Sequence, residues 1–369
     1  MTVETWRDAI ALGHAARQGG RAEEALAHYR AALSLAPDLA ETHRACGLML
    51  LEMNRPDEAT PLLRRAVDLE PSHAASRATL AECLARTGDI AAAIGIVEAL
   101  TAEAPAEGWI WERLGELEAR AGRFSDATLH FRRAAEQKPN DPSPLFKWAR
   151  AAFDAGLPGE ARATLDRAAR FAPRHPAILR LYAEIHEGNA AWDELGATTR
   201  SWLRVEPGNP LPWMFAARAQ WETGYLTEAM RSYRTFLDRG GRNATHLATY
   251  GRLCMTALAY DEAARALDEA ERLDPECGHM LSAKATLAMY AGRFDDALAY
   301  ARRAIAADPR DAAAFRVLVQ VSAGHVGADD FSRLARLVED EGARSEDRIA
   351  ASFALADCLD AQGDVDAAF

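Results

Sequence analysis

The sequence is short of strand formers, aromatic residues and positive charge. Aromatics make up 8% of its 369 residues. β-Branched residues are few beside alanine and leucine, which lose little freedom in a helix, so the composition favours helices over strands. No apolar run approaches the roughly 18–20 residues that a membrane-spanning helix requires. The N-terminal stretch MTVETWRDAIALGHAARQGG has no basic segment followed by an apolar one, and no secretory signal is visible. A net charge of −12 argues against a nucleic-acid binder of the basic-patch kind. Five cysteines (Cys46, Cys83, Cys254, Cys277 and Cys358) are scattered without a CxxC pair. An odd, dispersed set suggests reduced thiols in a cytoplasmic protein rather than a disulfide framework. Without an export signal, the sequon at Asn243-Ala244-Thr245 reads as chance.

Recognisable chemistry is missing too. There is no GxGxxG, GxxxxGK[ST], HExxH or GxSxG. Ten histidines are dispersed, none beside a cysteine or carboxylate at metal-ligand spacing. His14 and His186 read as packed or solvated. The acidic pairs Asp57-Glu58, Asp295-Asp296 and Asp329-Asp330 read as helix starts, where carboxylates complement the positive end of the dipole. No cysteine has an adjacent base or cationic cluster to make it a nucleophile. The expectation is a non-catalytic chain with no cofactor and no metal.

What is present is a period. AGRFSDATLHFRRAAEQKPND (from Ala121) returns as AGRFDDALAYARRAIAADPRD (from Ala291), 170 residues later, or five steps of 34. Pro37, Pro71, Pro105, Pro139, Pro173 and Pro207 keep that step; Gly241 takes the next place, and Pro275 and Pro309 resume the series. Ala25, Ala59, Ala93, Ala127, Ala161, Ala229, Ala263 and Ala297 each stand twelve before the proline place. Glycine or alanine recurs twelve before those alanines, as at Gly13, Gly47, Ala81, Gly115 and Gly251. Gly20, Gly88, Gly122, Gly156, Gly224 and Gly292 lie between.

These landmarks describe a helical hairpin. Helix A runs to the glycine, which accepts φ > 0 cheaply, and helix B runs to the proline, which cannot continue it. The small residues let the two backbones approach. Longer side chains at helix A's seventh place (Leu12, Leu80, Leu114, Trp148, Tyr182) fill the seam. Phe124 and Phe294, just after the turn, are expected to pack the hairpin ends.

The pattern resembles the tetratricopeptide repeat, with Trp111, Leu114, Gly115, Gly122, Ala127, Phe131, Ala134 and Pro139 matching it in one unit. The resemblance implies an all-α solenoid, a right-handed superhelix of antiparallel helix pairs with about ten repeats. Nine units are read over residues 1–311, the sixth eroded at Leu195 and Thr199, and a degenerate repeat over 312–345 with Val319, Val326 and Phe331 at the diagnostic places. A further unit over 346–369 is out of phase and stops half-made at Phe369, one residue after its helix-B alanine Ala368, so the chain reads as a fragment.

In this family the groove is lined by helix A, chiefly its second, fifth, ninth, twelfth and thirteenth places. Early repeats put Arg7, His14, Arg17, Arg44, Glu82, Glu112 and Glu116 there. Repeats five to eight put Phe146, Arg150, Phe153, Arg180, Met214, Arg218, Trp221, Arg252 and Met255 there. Arginine and aromatics are enriched at binding hot spots, and arginine grips carboxylate or phosphate bidentately. Those nine are the candidate partner-binding residues for a peptide or protein segment, with an acidic one among the options. The alternative is internal pairing with Glu184, Glu187 and Glu222. The family's carboxylate clamp for chaperone tails is absent, because its places read Ile10, His14 and Ala45.

Ser345 to Phe369 is also similar to the segment joining such repeats to a sulfotransferase domain in bacterial fusion proteins. The matching residues are Glu346-Asp347-Arg348, Phe353-Ala354-Leu355, Leu359-Asp360 and Gly363-Asp364. That similarity implies an intact protein transferring sulfate from a nucleotide donor, with the donor loop outside this sequence. Self-association through an unfinished apolar end is the third alternative.

Overall fold

The computed structural model describes residues 5–343 and 345–363; Asp364, Ala368 and Phe369, named above, lie outside the described residues. Among those described there are twenty-one α-helices and no strand. The chain divides into two compact units, one up to Leu181 and one from Tyr182.

In the N-terminal unit α1 (Trp6–Gln18) pairs with α2 (Ala22–Leu35), α3 (Ala40–Glu52) with α4 (Pro56–Leu69), and α5 (Ala74–Arg86) with α6 (Ile90–Glu103). Helix α7 (Gly108–Arg120) then pairs with α8 (Phe124–Gln137), and α9 (Pro142–Asp154) with α10 (Pro158–Phe171). The boundary between the units falls inside α11 (Pro176–Gly188). In the C-terminal unit α12 (Trp192–Val205) packs on α13 (Leu211–Glu222), which pairs with α14 (Leu226–Phe236). Helix α15 (Ala244–Thr256) pairs with α16 (Tyr260–Leu273), and α17 (Gly278–Tyr290) with α18 (Phe294–Ala307). Last come α19 (Ala312–Val321), α20 (Ala328–Glu339) and α21 (Ser345–Ala361).

Close helix packing explains the small residues. A Cβ on Gly13 would stand 2.4 Å from the Tyr29 ring, one on Gly47 2.6 Å from Leu63, and one on Gly115 2.9 Å from Phe131. Opposite them, Ala25, Ala59, Ala93, Ala127, Ala161, Ala229, Ala263 and Ala297 are fully buried. In the eroded sixth repeat Leu195 fills the alanine place and is buried as completely. The tenth departs further. Val319 stands where Gly or Ala would let the backbones meet, and α19 and α20 each pack on α21 instead of forming a close pair. Gly324 makes that possible: its missing Cβ would lie 2.4 Å from Ala361 and 2.7 Å from the Asp357 carbonyl on α21.

The turns and stops follow the sequence rule, with one instructive departure. Every A-to-B turn of the first nine repeats holds one residue at positive φ, on a strict 34-residue step from Gly20 to Gly292. Three of these are not glycine: Asn54, Ala190 and Leu258. Before each proline the chain leaves the helix, as at Ala36 (φ −144°, ψ 72°) and Asp308 (φ −137°, ψ 102°), because the proline ring disfavours a helical predecessor. Where Gly241 replaces the proline nothing enforces the stop. Helix α14 runs on into a π-helical turn over Leu237–Gly241, released at Gly240 (φ 113°).

Three polar seventh-place side chains, Trp148, Tyr250 and Lys284, are paired with carboxylates. Trp148 Nε1 donates to Glu160 (2.8 Å), and the buried Lys284 ammonium bonds Asp268 (2.8 Å) and Glu271. The Tyr250 hydroxyl and the Arg234 guanidinium both donate to Glu262, tying α14, α15 and α16 together. Burial works against the Glu262 carboxylate, but these donors outweigh it and hold its pKa below the usual value. Phe294 is a correction: it is 56% exposed and does not pack its hairpin end, whereas Phe124 is half-buried.

Gly115→Val is expected to cost about 2 kcal/mol by overpacking against Phe131. Gly95→Ala, in an exposed stretch of α6 with open space around it, is expected to gain about 0.5–1 kcal/mol. Urea titrations of the two variants measure both. Glu262→Ala is expected to lose about 2 kcal/mol at neutral pH. Because the folded pKa is depressed, that contribution is present above the unfolded carboxylate pKa and fades as pH falls through the folded value. Wild-type and variant stabilities therefore converge in acid.

Candidate functional site

The nine residues singled out by sequence do not form one site. Phe146, Arg150, Phe153 and Arg180 belong to the N-terminal unit; Met214, Arg218, Trp221, Arg252 and Met255 belong to the C-terminal unit.

In the N-terminal unit Phe146, Lys147 and Arg150 on α9 border a cavity of about 370 Å³ together with Glu82, Arg113 and Arg120 from earlier A helices. Its charges are already matched. Glu82 pairs with Arg86 (2.7 Å), Arg113 (3.2 Å) and Arg120 (3.3 Å). Burial disfavours the Lys147 ammonium, yet hydrogen bonds from it to Glu112 and Glu116 hold its pKa above the ordinary value. Arg150 bonds Asp154 (3.1 Å) and lies 5.7 Å from the Phe153 ring centre. Phe146 tilts against His175 at 6.5 Å between centroids, and Arg180 is exposed on α11. Towards the N-terminus Arg17 pairs with Glu52 and Arg44 with Glu70 (3.2 Å).

In the C-terminal unit Arg218 on α13 pairs with Glu222 (3.1 Å) and lies over the rings of Trp192 (5.6 Å) and Trp221 (5.9 Å). Burial raises the pKa of nearby Glu187, and the Arg218 charge opposes that rise. Met214 is half-buried against the core. Met255 is a correction of degree: at 6% exposure it is core, and only borders the floor of a cavity. That cavity, about 170 Å³, is walled by Trp221, Arg252, Ser282, Thr286, Tyr290 and Arg316. A larger cleft of about 650 Å³ shares Trp221, Arg252 and Ser282 with it and also takes in Arg218, His279 and Asp311.

Arg252 and Arg316 differ from Arg17, Arg44, Arg150 and Arg218. Both are exposed, and neither has an ion pair or side-chain hydrogen bond among the described residues. The reason is legible one helical turn on. Arg150 and Arg218 have Asp154 and Glu222 at i+4, where side chains on a helix meet. Arg252 and Arg316 have Thr256 and Gln320. The larger cleft that takes in Arg252 is also bordered by Asp308, Asp311, Glu346 and Asp347; of these Asp311 caps α19 by accepting from Ala314 N (2.9 Å) and also accepts from Ser282 Oγ (3.1 Å). Burial raises its pKa, and Arg252 is among the influences that lower it.

Arg316 and Tyr290 were missed because the positional reading stopped at repeat eight. The same rule applied to repeats nine and ten places Ser282, Thr286, Tyr290 and Arg316 on the groove. The five cysteines are buried, with burial pushing Cys46 up to about 11 and Cys254 to about 12, far from thiolate chemistry. His14 Nδ1 lies 2.9 Å from the Tyr29 hydroxyl, and His186 is buried in a stack with Tyr182. Among the described residues no cluster of three metal-ligating side chains occurs, and no helix is long and apolar enough to cross a membrane.

Family profiles described as tetratricopeptide repeat match residues 50–109, 118–185, 197–279 and 282–324, and one described as TPR repeat matches 13–54. The chain belongs to the tetratricopeptide repeat family. No curated protein matches it. Among solved structures, yeast Tom70 is similar at 14% identity and a TM-score of 0.51, covering 98% of this chain and 90% of that one. A tetratricopeptide repeat protein from Parabacteroides merdae gives 14% and 0.51, covering 68% of this chain and 98% of its own. The Cut9 and Hcn1 hetero-tetramer of APC/C gives 14% and 0.50, with 82% and 59% covered. Identities this low carry the fold alone. Tetratricopeptide repeats generally mediate protein–protein interaction or scaffolding.

If Arg252 and Arg316 hold nothing together internally, removing them leaves the fold untouched. Arg252→Ala and Arg316→Ala are each expected to change unfolding stability by less than about 0.5 kcal/mol, as thermal and urea unfolding would show.

Proposed function

We propose that this chain is a binding scaffold whose C-terminal unit holds an acidic protein segment against the A-helix residues Trp221, Arg252, Tyr290 and Arg316. The observation that carries the reading is the pair of exposed guanidinium groups that make no ion pair among the described residues, set beside two aromatic side chains on one cavity. Elsewhere along the A helices Arg17, Arg44, Arg113, Arg120, Arg150 and Arg218 are each paired with a carboxylate. A guanidinium left open offers planar, bidentate recognition of a carboxylate. The hydroxyls of Thr286 and Thr256 border the same space and can take part in hydrogen bonds to backbone or side chain.

Polarisation of fluorescein-labelled hexaglutamate, with hexaglutamine as control, tests this. Hexaglutamate is expected to bind, to weaken as salt rises, and to lose at least about tenfold affinity in Arg252→Glu/Arg316→Glu, the scale of one or two charged contacts. Arg150→Glu, in the other unit and internally paired, is expected to bind as wild type. Equal loss in Arg150→Glu, or no loss in the double reversal, refutes the reading.

A further inference from the structure

The A-to-B turns of repeats eight and nine expose large apolar side chains that the fold does not use. Leu258 is 72% exposed, Phe294 and Tyr290 are each 56% exposed, and Tyr260 is 41% exposed. Leu258 is also the least comfortable residue of its kind in the chain. It occupies the turn place at φ 59°, where six other repeats have glycine and where a branched side chain is disfavoured. Helix packing does not demand a leucine there, since glycine serves at the equivalent place in the neighbouring repeat nine. Tyr260 and Tyr290 meet edge to face at 6.2 Å, linking the two turns. Tyr290 in turn walls the cavity that holds Arg252 and Arg316. A run of exposed apolar side chains with a strained member, continuous with unpaired cations, marks an interaction surface.

We infer that the ligand is bipartite: an extended segment with an acidic residue gripped by Arg252 and Arg316, and a neighbouring aliphatic or aromatic residue resting on Leu258, Tyr260, Tyr290 and Phe294. This inference rests on the groove reading above and goes beyond it by assigning the turn edge and the second ligand residue. The arginines select charge, and they cannot distinguish one acidic stretch from another. The edge supplies that discrimination, because an apolar side chain beside the carboxylate covers surface that a purely acidic segment leaves wet. The chemistry of the edge is complementary to aliphatic and aromatic groups: three aromatic rings and one leucine, flanked by the exposed Asp261, Asp295 and Asp296.

The test uses labelled peptides in a glycine–serine background with one Glu and one Leu at increasing separations, and matched peptides with Gln for Glu or Ser for Leu. The Glu-plus-Leu peptide at one favoured separation is expected to bind tightest, each replacement weakening it about tenfold. Leu258→Gly is expected to raise Tm by roughly 2–4 °C while erasing the preference for Leu over Ser, a combination that a purely structural leucine would not give. Phe294→Ser is expected to reduce the same preference, and Arg252→Ala/Arg316→Ala to erase only the preference for Glu over Gln. Binding that depends on Glu and ignores Leu overturns the bipartite ligand and leaves the groove reading standing. Binding indifferent to both Glu and the arginine variants overturns both. A mass that rises with concentration in light scattering, and falls back in Leu258→Gly, assigns the edge to a second copy of this chain and overturns the proposal.

Discussion

The rest of the structure depends on how closely helix A can approach helix B. At Gly13, Gly47, Gly115 and Gly251 the space for a Cβ is already occupied by a side chain of the partner helix, and the facing alanines are fully buried. Close approach fixes the angle of each hairpin, and the hairpin angle fixes where the next pair must stack to bury its apolar face. The tenth repeat shows what happens when the constraint lapses. With Val319 at the critical place, α19 and α20 each turn to α21, and Gly324 supplies the tight contact that the hairpin has lost.

Because the framework is so demanding, most positions are unavailable to function, and the remaining A-helix places carry whatever specificity exists. In the N-terminal unit those places are spent on one another: Glu82 gathers three arginines, and Lys147 bridges two glutamates. Pairs of this partly exposed kind add little stability individually, but the charges they join are already matched. In the C-terminal unit threonine and glutamine replace the carboxylate at i+4, and two arginines are released. Between Arg150 and Arg218 on one hand and Arg252 and Arg316 on the other, the difference is the residue one helical turn away; Arg17, Arg44, Arg113, Arg120 and Lys147 find their carboxylates on neighbouring helices.

The architecture was legible in the sequence because it is written in residues whose reasons are steric. Glycine at positive φ, glycine or alanine where two helices meet and proline after a helix each have few substitutes, so they recur and can be counted. The site was harder to read for the opposite reason: partner-facing residues obey no framework and do not repeat. The positional rule grouped Arg150 with Arg252, both at the ninth place of helix A, although the structure gives them opposite roles, one paired and one open. Met255 looked like a groove residue from its helical place, and is core because α15 packs against α17 and turns it inward. The i+4 neighbour was the signal that could have separated these cases, together with carrying the positional rule on to Tyr290 and Arg316.

Departures from the repeat also differ in kind. At Gly241 the missing proline is absorbed locally by a π-helical turn, and Phe236 fills the space a side chain there would need. That change is compensated where it occurs. Leu258 is not compensated: it strains the backbone at a place glycine would satisfy and puts an apolar side chain in water. A residue that costs stability twice, with no packing return inside the chain, has its reason outside it. Phe294 follows the same logic, since its counterpart Phe124 occupies the same place in an earlier repeat and is half-buried. The two phenylalanines begin the same sequence phrase, and only the surroundings of one leave it free to meet a partner.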